Sequence, residues 1–249
     1  VQEERLACTA DGEHICCLFE SGGQTLLVAT NRNLYRFALA GRRLQHVATL
    51  PEAPTDLCSD GQGNVFLSLC KGGLFHVSPK GQGQRVDALM EIFRSVCCHT
   101  DGSVWVATFE GNVYRYTLGD KRLASVPLLC GTTPIKSIRA DGLGHIWTLT
   151  DQRVCEDAPE SQAFRTFRNS DHFIDVSYFY ALENIDATHI GVGGAGALVE
   201  IASSAELSEQ TTASAKPRLS GIVVNGQTCL VGREQTRLSL DADDNTLTL

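Results

Sequence analysis

Ten cysteines and seven histidines are the side chains of this chain best suited to chemistry. Cysteines ligate soft metals or cycle between thiol and disulfide, and histidines carry protons. Their spacing limits both. Cys16-Cys17 and Cys97-Cys98 are adjacent pairs. Neighbours on a strand point to opposite faces, so neither pair chelates one ion, and C-x-x-C is absent. The expectation is no metal ligand, with Cys16, Cys17, Cys58, Cys97 and Cys98 acting as small hydrophobes where strands crowd together. His14, His46, His76, His99, His145, His172 and His189 are not joined by a His-x-Glu or paired-carboxylate phrase. A base and an acid converging on one point are therefore not assigned, and the expectation is no catalytic residue and no cofactor.

The elements that must carry these residues repeat. Asp101-Gly102 precedes the apolar run Val104-Trp105-Val106-Ala107, and Glu110-Gly111 precedes Val113-Tyr114-Arg115-Tyr116. Asp-Gly between apolar runs signals a hairpin, because Gly accepts the positive φ that a tight turn demands. The phrase returns as Asp60-Gly61-Gln62-Gly63 before Val65-Phe66 and as Asp141-Gly142-Leu143-Gly144 before Ile146-Trp147. Related units surround Leu26 to Phe37 and His189 to Val199. Leu34, Leu74, Val113, Val154 and Leu198 recur at intervals of 40, 39, 41 and 44 residues. A period of roughly 40–50 residues with β-branched and aromatic runs fits four-stranded β-propeller blades, whereas helical repeats are shorter and lack this strand chemistry.

The sequence thus predicts an all-β chain of about five propeller blades over residues 1–202. Their inner strands include Ile15 to Phe19 and, in a degenerate fifth unit, residues 176–182. The first turns read as two residues at Asp101-Gly102 and four residues at 60–63 and 141–144, a difference that preserves side-chain alternation. Residues 203–216 are polar and unpatterned and read as a linker. From Pro217 the pattern changes to alternating strands around Asn225-Gly226, the opening of a sandwich.

A hydrophobic fraction of 43% with 20% charged and 7% aromatic residues suits 249 residues of globular chain with an ample core. A formal net charge of −8 argues against binding a phosphate backbone, so nucleic acid is not an expected partner. No window offers the ~18 apolar residues of a membrane span. Val1 in the first position and a strand still running at Leu249 predict a piece of a longer chain, which would meet a membrane only through other segments.

The phrase at residues 141–147, and the run from Asp101 to Tyr116, resemble the two-component regulator propeller repeat. Residues 217–249, with Val224-Asn225-Gly226 and Asp244-Asn245-Thr246-Leu247, are similar to the start of a three-Y domain. The order of repeats, linker and sandwich resembles the periplasmic sensor region of membrane-bound histidine kinases, often the hybrid two-component systems of carbohydrate-degrading bacteria. This resemblance implies a non-enzymatic ectodomain that binds an oligosaccharide and signals through the three-Y domain to a kinase in the parent chain, itself a homodimer. The chain departs from the family in having about five blades and no kinase.

Propellers gather on one face the turns between second and third strands and the links from blade to blade. In this chain the first set contains Arg32, Lys71, Phe109, Glu110, Gln152 and Arg153, and the second contains Arg94 and His172. An aromatic among polar neighbours suits a sugar, whose ring has an apolar face and a rim of hydroxyls. Two other classes stay open. Streptogramin lyases and some polysaccharide lyases use similar propellers, and a scaffold propeller would bind another protein.

Overall fold

A computed structural model describes residues 12–86, 91–128, 134–151, 153–159, 163–168, 179–194, 197–204, 222–224, 227–229 and 247–248. Every regular element among them is a β-strand. The chain divides into two compact units, Val1–Gln210 and Thr211–Leu249.

The first unit holds five successive antiparallel meanders. Blade 1 comprises β1 (Ile15–Glu20), β2 (Thr25–Thr30), β3 (Asn33–Ala38) and β4 (Arg43–Thr49). Blade 2 comprises β5 (Pro54–Ser59), β6 (Val65–Leu69), β7 (Leu74–Val77) and β8 (Gly83–Arg85). Blade 3 comprises β9 (Phe93–Cys98), β10 (Val104–Thr108), β11 (Val113–Thr117) and β12 (Arg122–Ser125). Blade 4 comprises β13 (Ser137–Ala140), β14 (Ile146–Leu149), β15 (Arg153–Ala158) and β16 (Ala163–Arg168). Blade 5 shows β17 (Phe179–Asn184), β18 (His189–Gly194) and β19 (Ala197–Ala202). The first strand of each blade contacts the first strand of the next, so β1, β5, β9, β13 and β17 line a common axis, and the fold is a β-propeller.

Alternation of side chains explains the packing. Val65, Leu67 and Leu69 point from β6 into a cluster with Leu27, Ala29 and Leu34 of blade 1, while Phe66 points the other way, toward Val104 and Val106 of blade 3. In β10, Trp105 and Ala107 face Ile138 and Ile146 of blade 4. Trp147 and Leu149 in turn face Leu182, Ile190 and Val192 of blade 5. The second strands of blades 2, 3 and 4 are therefore covered on both faces, which is why β6, β10 and β14 are buried along their whole length. A fully buried Leu, Val or Phe contributes about 1.5–3 kcal/mol, so these interfaces between blades are the core. The outer strands β8 and β12 are mostly exposed and carry Arg85 and Arg122, as suits edges that must not pair with other chains.

The first turns differ from the sequence expectation. Ser59 pairs with Val65, Cys98 with Val104 and Ala140 with Ile146, so all three turns contain five residues. Their equivalent glycines are Gly63, Gly102 and Gly144, with φ of 96°, 81° and 86°. The left-handed fourth position fixes the frame, and only Gly adopts it at no steric cost. The Asp of Asp101-Gly102 therefore occupies the third position of its turn, whereas Asp60 and Asp141 occupy the first. Strand β17 extends to Asn184, beyond the expected end at 182; residues 176–178 lie outside the described set.

The second unit contains β20 (Ile222–Val224), β21 (Gln227–Cys229) and β22 (Leu247–Thr248) in the antiparallel order β21-β20-β22. Val224 pairs with Gln227, on either side of Asn225-Gly226, which itself lies outside the described residues.

Candidate functional site

The entry ends of the inner strands share a local irregularity. In blades 1, 2, 3 and 5 the pairing with the second strand skips one residue: Cys16, Thr55, Arg94 and Tyr180. Such bulges twist a strand and re-aim side chains, and they favour functional rims. In blade 4 the corresponding position is Lys136, whose N–H donates to Leu149 O at 2.7 Å beside the Ser137–Leu149 pair.

Three of these positions, Thr55, Arg94 and Lys136, border a cleft of about 320 Å³ together with Asp56, Arg139 and Glu183. Arg139 organises it. Its Nη1 donates to Asp56 Oδ2 at 3.0 Å, to Ser95 Oγ at 3.1 Å and to Ile138 O at 2.8 Å. Its Nε and Nη2 reach Glu183 Oε2 at 3.1 and 3.0 Å. Ser95 Oγ donates to Asp56 Oδ2 at 2.5 Å and accepts the Ile138 N–H at 3.1 Å. One guanidinium thus ties together the inner strands of blades 2, 3, 4 and 5. Burial opposes its charge, but the carboxylates of Asp56 and Glu183 outweigh that effect and hold it firmly protonated. Ser95, buried and lining the same cleft, is held in this network as donor to Asp56 and acceptor from Arg139 and the Ile138 N–H. The cleft offers fixed donors and acceptors to a polar ligand.

The sequence candidates fall around this end of the blades. Arg94 borders the cleft. Arg32 is exposed in the β2–β3 turn, and its N–H donates to Thr30 Oγ1 at 3.2 Å. Lys71 is exposed in the β6–β7 turn, with its N–H on Glu52 Oε2 at 3.0 Å. Phe109, 57% exposed, and Glu110 stand in the β10–β11 turn. Arg153 is half-buried at the start of β15, its N–H donating to Thr150 Oγ1 at 3.2 Å. Gln152 and His172 lie outside the described residues. The equivalent hydroxyls Thr30, Thr108 and Thr150 close three of these turns by accepting backbone N–H groups. Sequence reasoning missed Arg139, Asp56, Ser95 and Glu183, because they sit inside strands of different blades and share no local phrase.

The opposite end of the axis carries a second cleft, of about 680 Å³, bordered by Asp60, His99, Asp101, Asp141, Asn184 and Asp186. The carboxylates there serve their own turns. Asp60 Oδ1 accepts from the N–H groups of Gln62 and Asn64 at 2.8 and 3.1 Å. Asp101 accepts the N–H and hydroxyl of Ser103 at 2.8 and 2.6 Å. Although burial raises its pKa, the bonds from Ser103 and His99 win, and the carboxyl is held well below the usual range. Asp186, bonded by the Thr188 N–H and His189, is lowered to about 2. His99 Nε2 bonds Gly144 O at 2.9 Å, joining the first turns of blades 3 and 4.

Asp141, His145 and Glu156 form the one metal-capable group found among the described residues, with one ligand atom each inside 4.8 Å. Those atoms are already occupied. Asp141 accepts the N–H groups of Leu143 and His145 and the Trp147 indole, and Glu156 accepts from His145, Arg165 and Ser204 N. An ion here would have to displace the Arg165 guanidinium and the indole N–H. The group acts as a structural hub that holds Ser204 and, through Arg165 Nη2, Ala202 O of blade 5.

No family model and no curated protein matches the chain. Solved structures do. The extracellular domain of a hybrid two component system from B. thetaiotaomicron aligns with 95% of this chain at 15% identity and TM-score 0.57, and the chain spans 32% of that domain's length. A catalytically inactive virginiamycin B lyase from Staphylococcus aureus with quinupristin aligns with 81% of the chain and 75% of its own at 12% identity, TM-score 0.60. YCF48 bound to D1 peptide aligns with 86% of the chain and 72% of its own at 14% identity, TM-score 0.58. At these identities the likeness establishes the all-β propeller fold.

Proposed function

We propose that the chain is the ligand-sensing part of an extracytoplasmic region of a two-component sensor, and that it recognises an oligosaccharide at the entry end of the propeller axis. The observation that carries this reading is the Arg139-centred cleft, fringed by the bulge residues Arg94 and Lys136 and set on the end that also presents Arg32, Lys71 and Phe109. Fixed charged donors and acceptors suit hydroxyls, and an exposed aromatic suits the apolar face of a sugar ring. The likeness to sensor ectodomains supports the setting: periplasmic, with residues 203–216 as linker, residues 217–249 opening a three-Y domain, and a histidine kinase further along a homodimeric parent.

In this reading function is linkage, not catalysis. A ligand shifts a signalling equilibrium only by its preference for one arrangement over another. A sugar that competes for Asp56, Glu183 or Arg139 acts on the group that ties four blades together. Calorimetry and thermal shift of the chain with a panel of oligosaccharides test this. The expected result is a saturable rise in Tm with the sugar unchanged, lost in Arg94→Ala. No shift with any sugar removes the sugar reading.

Lyases and a peptide-binding propeller also share the fold, so cleavage products and peptide binding are the outcomes that would replace it. Against a lyase, His99 and His145 are tied into turns and His76 is stacked on Phe66.

A further inference from the structure

We infer that Cys58 and Cys98 are a thiol–disulfide pair that reversibly locks blade 2 to blade 3. Cys58 lies on β5 and Cys98 on β9, neighbouring inner strands that no backbone ladder joins. Their sulfurs are 2.9 Å apart. A disulfide bond is ~2.05 Å long, so closure asks for a movement of roughly 1 Å. The two strands are already fixed against each other at their other end. Thr55 Oγ1 donates to Phe93 O at 2.9 Å, and Asp56 Oδ2 accepts from Ser95 Oγ and from Val96 N at 3.2 Å. Cys97 faces Trp105 on the other side of β9 and is turned away from Cys58.

The two thiols differ in access, and that assigns their roles. Cys98 is half-buried and borders the 680 Å³ cleft between Asp60 and Asp101. Cys58 is buried among Phe66, Val96 and Val104. Burial and the hydrogen bond with Cys98 push the Cys58 thiol well above its usual pKa, so in the reduced pair Cys58 holds its proton. The co-reactant is a small disulfide. The Cys98 thiolate attacks one sulfur of it, the S–S bond breaks, and one small thiolate leaves and takes up the proton that Cys98 lost. Cys58 then gives up its proton and attacks Cys98 sulfur, expelling the second small thiol. Two protein thiols are oxidised and one disulfide is reduced to two thiols. The second step is intramolecular, and that proximity offsets the poor ionisation of Cys58.

The inference is independent of any ligand reading. Its test is exchange of the full, reduced chain against mixtures of oxidised and reduced glutathione, with peptide mapping under non-reducing conditions and melting curves. The expected result is a Cys58–Cys98 cross-linked peptide lighter by two hydrogens, and a Tm about 5–10 °C above the reduced protein. Cys58→Ala should trap glutathione on Cys98 with no such rise, and Cys98→Ala should leave Cys58 unmodified. Free thiols at both positions in excess oxidised glutathione would overturn the proposal, as would glutathione retained on Cys98 of the unsubstituted chain. Should either variant fail to fold, the map of the unsubstituted chain decides alone.

Discussion

Asp141 Oδ2 accepts the indole Nε1–H of Trp147 at 2.8 Å across the first turn of blade 4, with both side chains sealed from solvent. The same carboxylate holds two backbone N–H groups through Oδ1, each at 2.9 Å. Blade 3 solves the same problem with a relay. Asp101 sits two places later in its turn, so Ser103 Oγ accepts the Trp105 indole N–H at 3.0 Å and donates its own O–H to Asp101 Oδ1 at 2.6 Å. One recurring aromatic thus keeps its N–H satisfied although the Asp has moved.

Asp141→Ala strips three donors of their acceptor in a buried turn and should cost about 3 kcal/mol, or a fall in Tm of roughly 6–12 °C. Ser103→Ala leaves one buried donor, the Trp105 indole, without its acceptor, and should cost about 1 kcal/mol. Urea unfolding followed by Trp fluorescence measures both. Equal, small effects would mean that Asp141 is not the anchor of its blade.

Arg139→Ala leaves Asp56 largely buried beside Ser95 with no counter-charge, and removal of one partner of such a pair costs about 3–5 kcal/mol. Asp56→Ala in the same chain should recover part of this loss, giving a coupling of about 1–3 kcal/mol in a double-mutant cycle. Glu183 is 64% exposed on its side chain. Glu183→Gln should therefore change stability by less than about 1 kcal/mol. A vanishing coupling between Asp56 and Arg139 would sink the network as a tie between blades.

The blades were legible because their signals are local: β-branched runs, and Gly at the same place in the first turns of blades 2, 3 and 4. The frame of those turns was not, since Asp-Gly looks like a two-residue hairpin until the pairing of Cys98 with Val104 shows that His99 and Ser103 close it. The axial cleft was still less legible. Asp56, Ser95, Arg139 and Glu183 stand singly in separate strands, and nothing adjacent in sequence reveals that one guanidinium meets all of them. Turn residues such as Phe109 were legible in their turns, whereas Arg94 read as part of a link between blades and lies instead inside β9, at a bulge that is a property of pairing, invisible in the residue itself.

Gly142 sets the distance between blades 4 and 5. Its N–H donates to Ala187 O at 2.6 Å, and a Cβ built there would lie 2.7 Å from both that oxygen and Ala187 Cβ. Gly142→Ala forces the two first turns apart and should cost about 1–3 kcal/mol. Gly102 has open space around its absent Cβ but a φ of 81°, so Gly102→Ala is strained by its own backbone and leaves the blade contact intact. Hydrogen exchange at the Gly142 amide separates the two: it should accelerate in Gly142→Ala and not in Gly102→Ala.

His76 should make stability depend on pH near neutrality. Asn64 Nδ2 donates to Asp60 Oδ2 at 2.6 Å, which turns Asn64 Oδ1 toward His76 Nε2 at 2.8 Å. That oxygen accepts, so Nε2 carries the proton and Nδ1 is bare. Nδ1 is buried without a partner, and the ring stacks on Phe66 with centroids 4.8 Å apart. Burial lowers the pKa of His76 from 6.5 and outweighs the charge of Asp60, which raises it. The folded pKa lies below the unfolded one, so the unfolded chain binds the extra proton first. The contribution is complete above about pH 6.5 and declines as pH falls toward the folded pKa, by at most about 1.4 kcal/mol per pH unit. His76→Phe keeps the stack, removes the titration and should flatten the stability profile below about pH 6.5 relative to the unsubstituted chain. Parallel profiles for the two proteins in urea unfolding would show that His76 titrates alike in both states, and the buried neutral tautomer would be wrong.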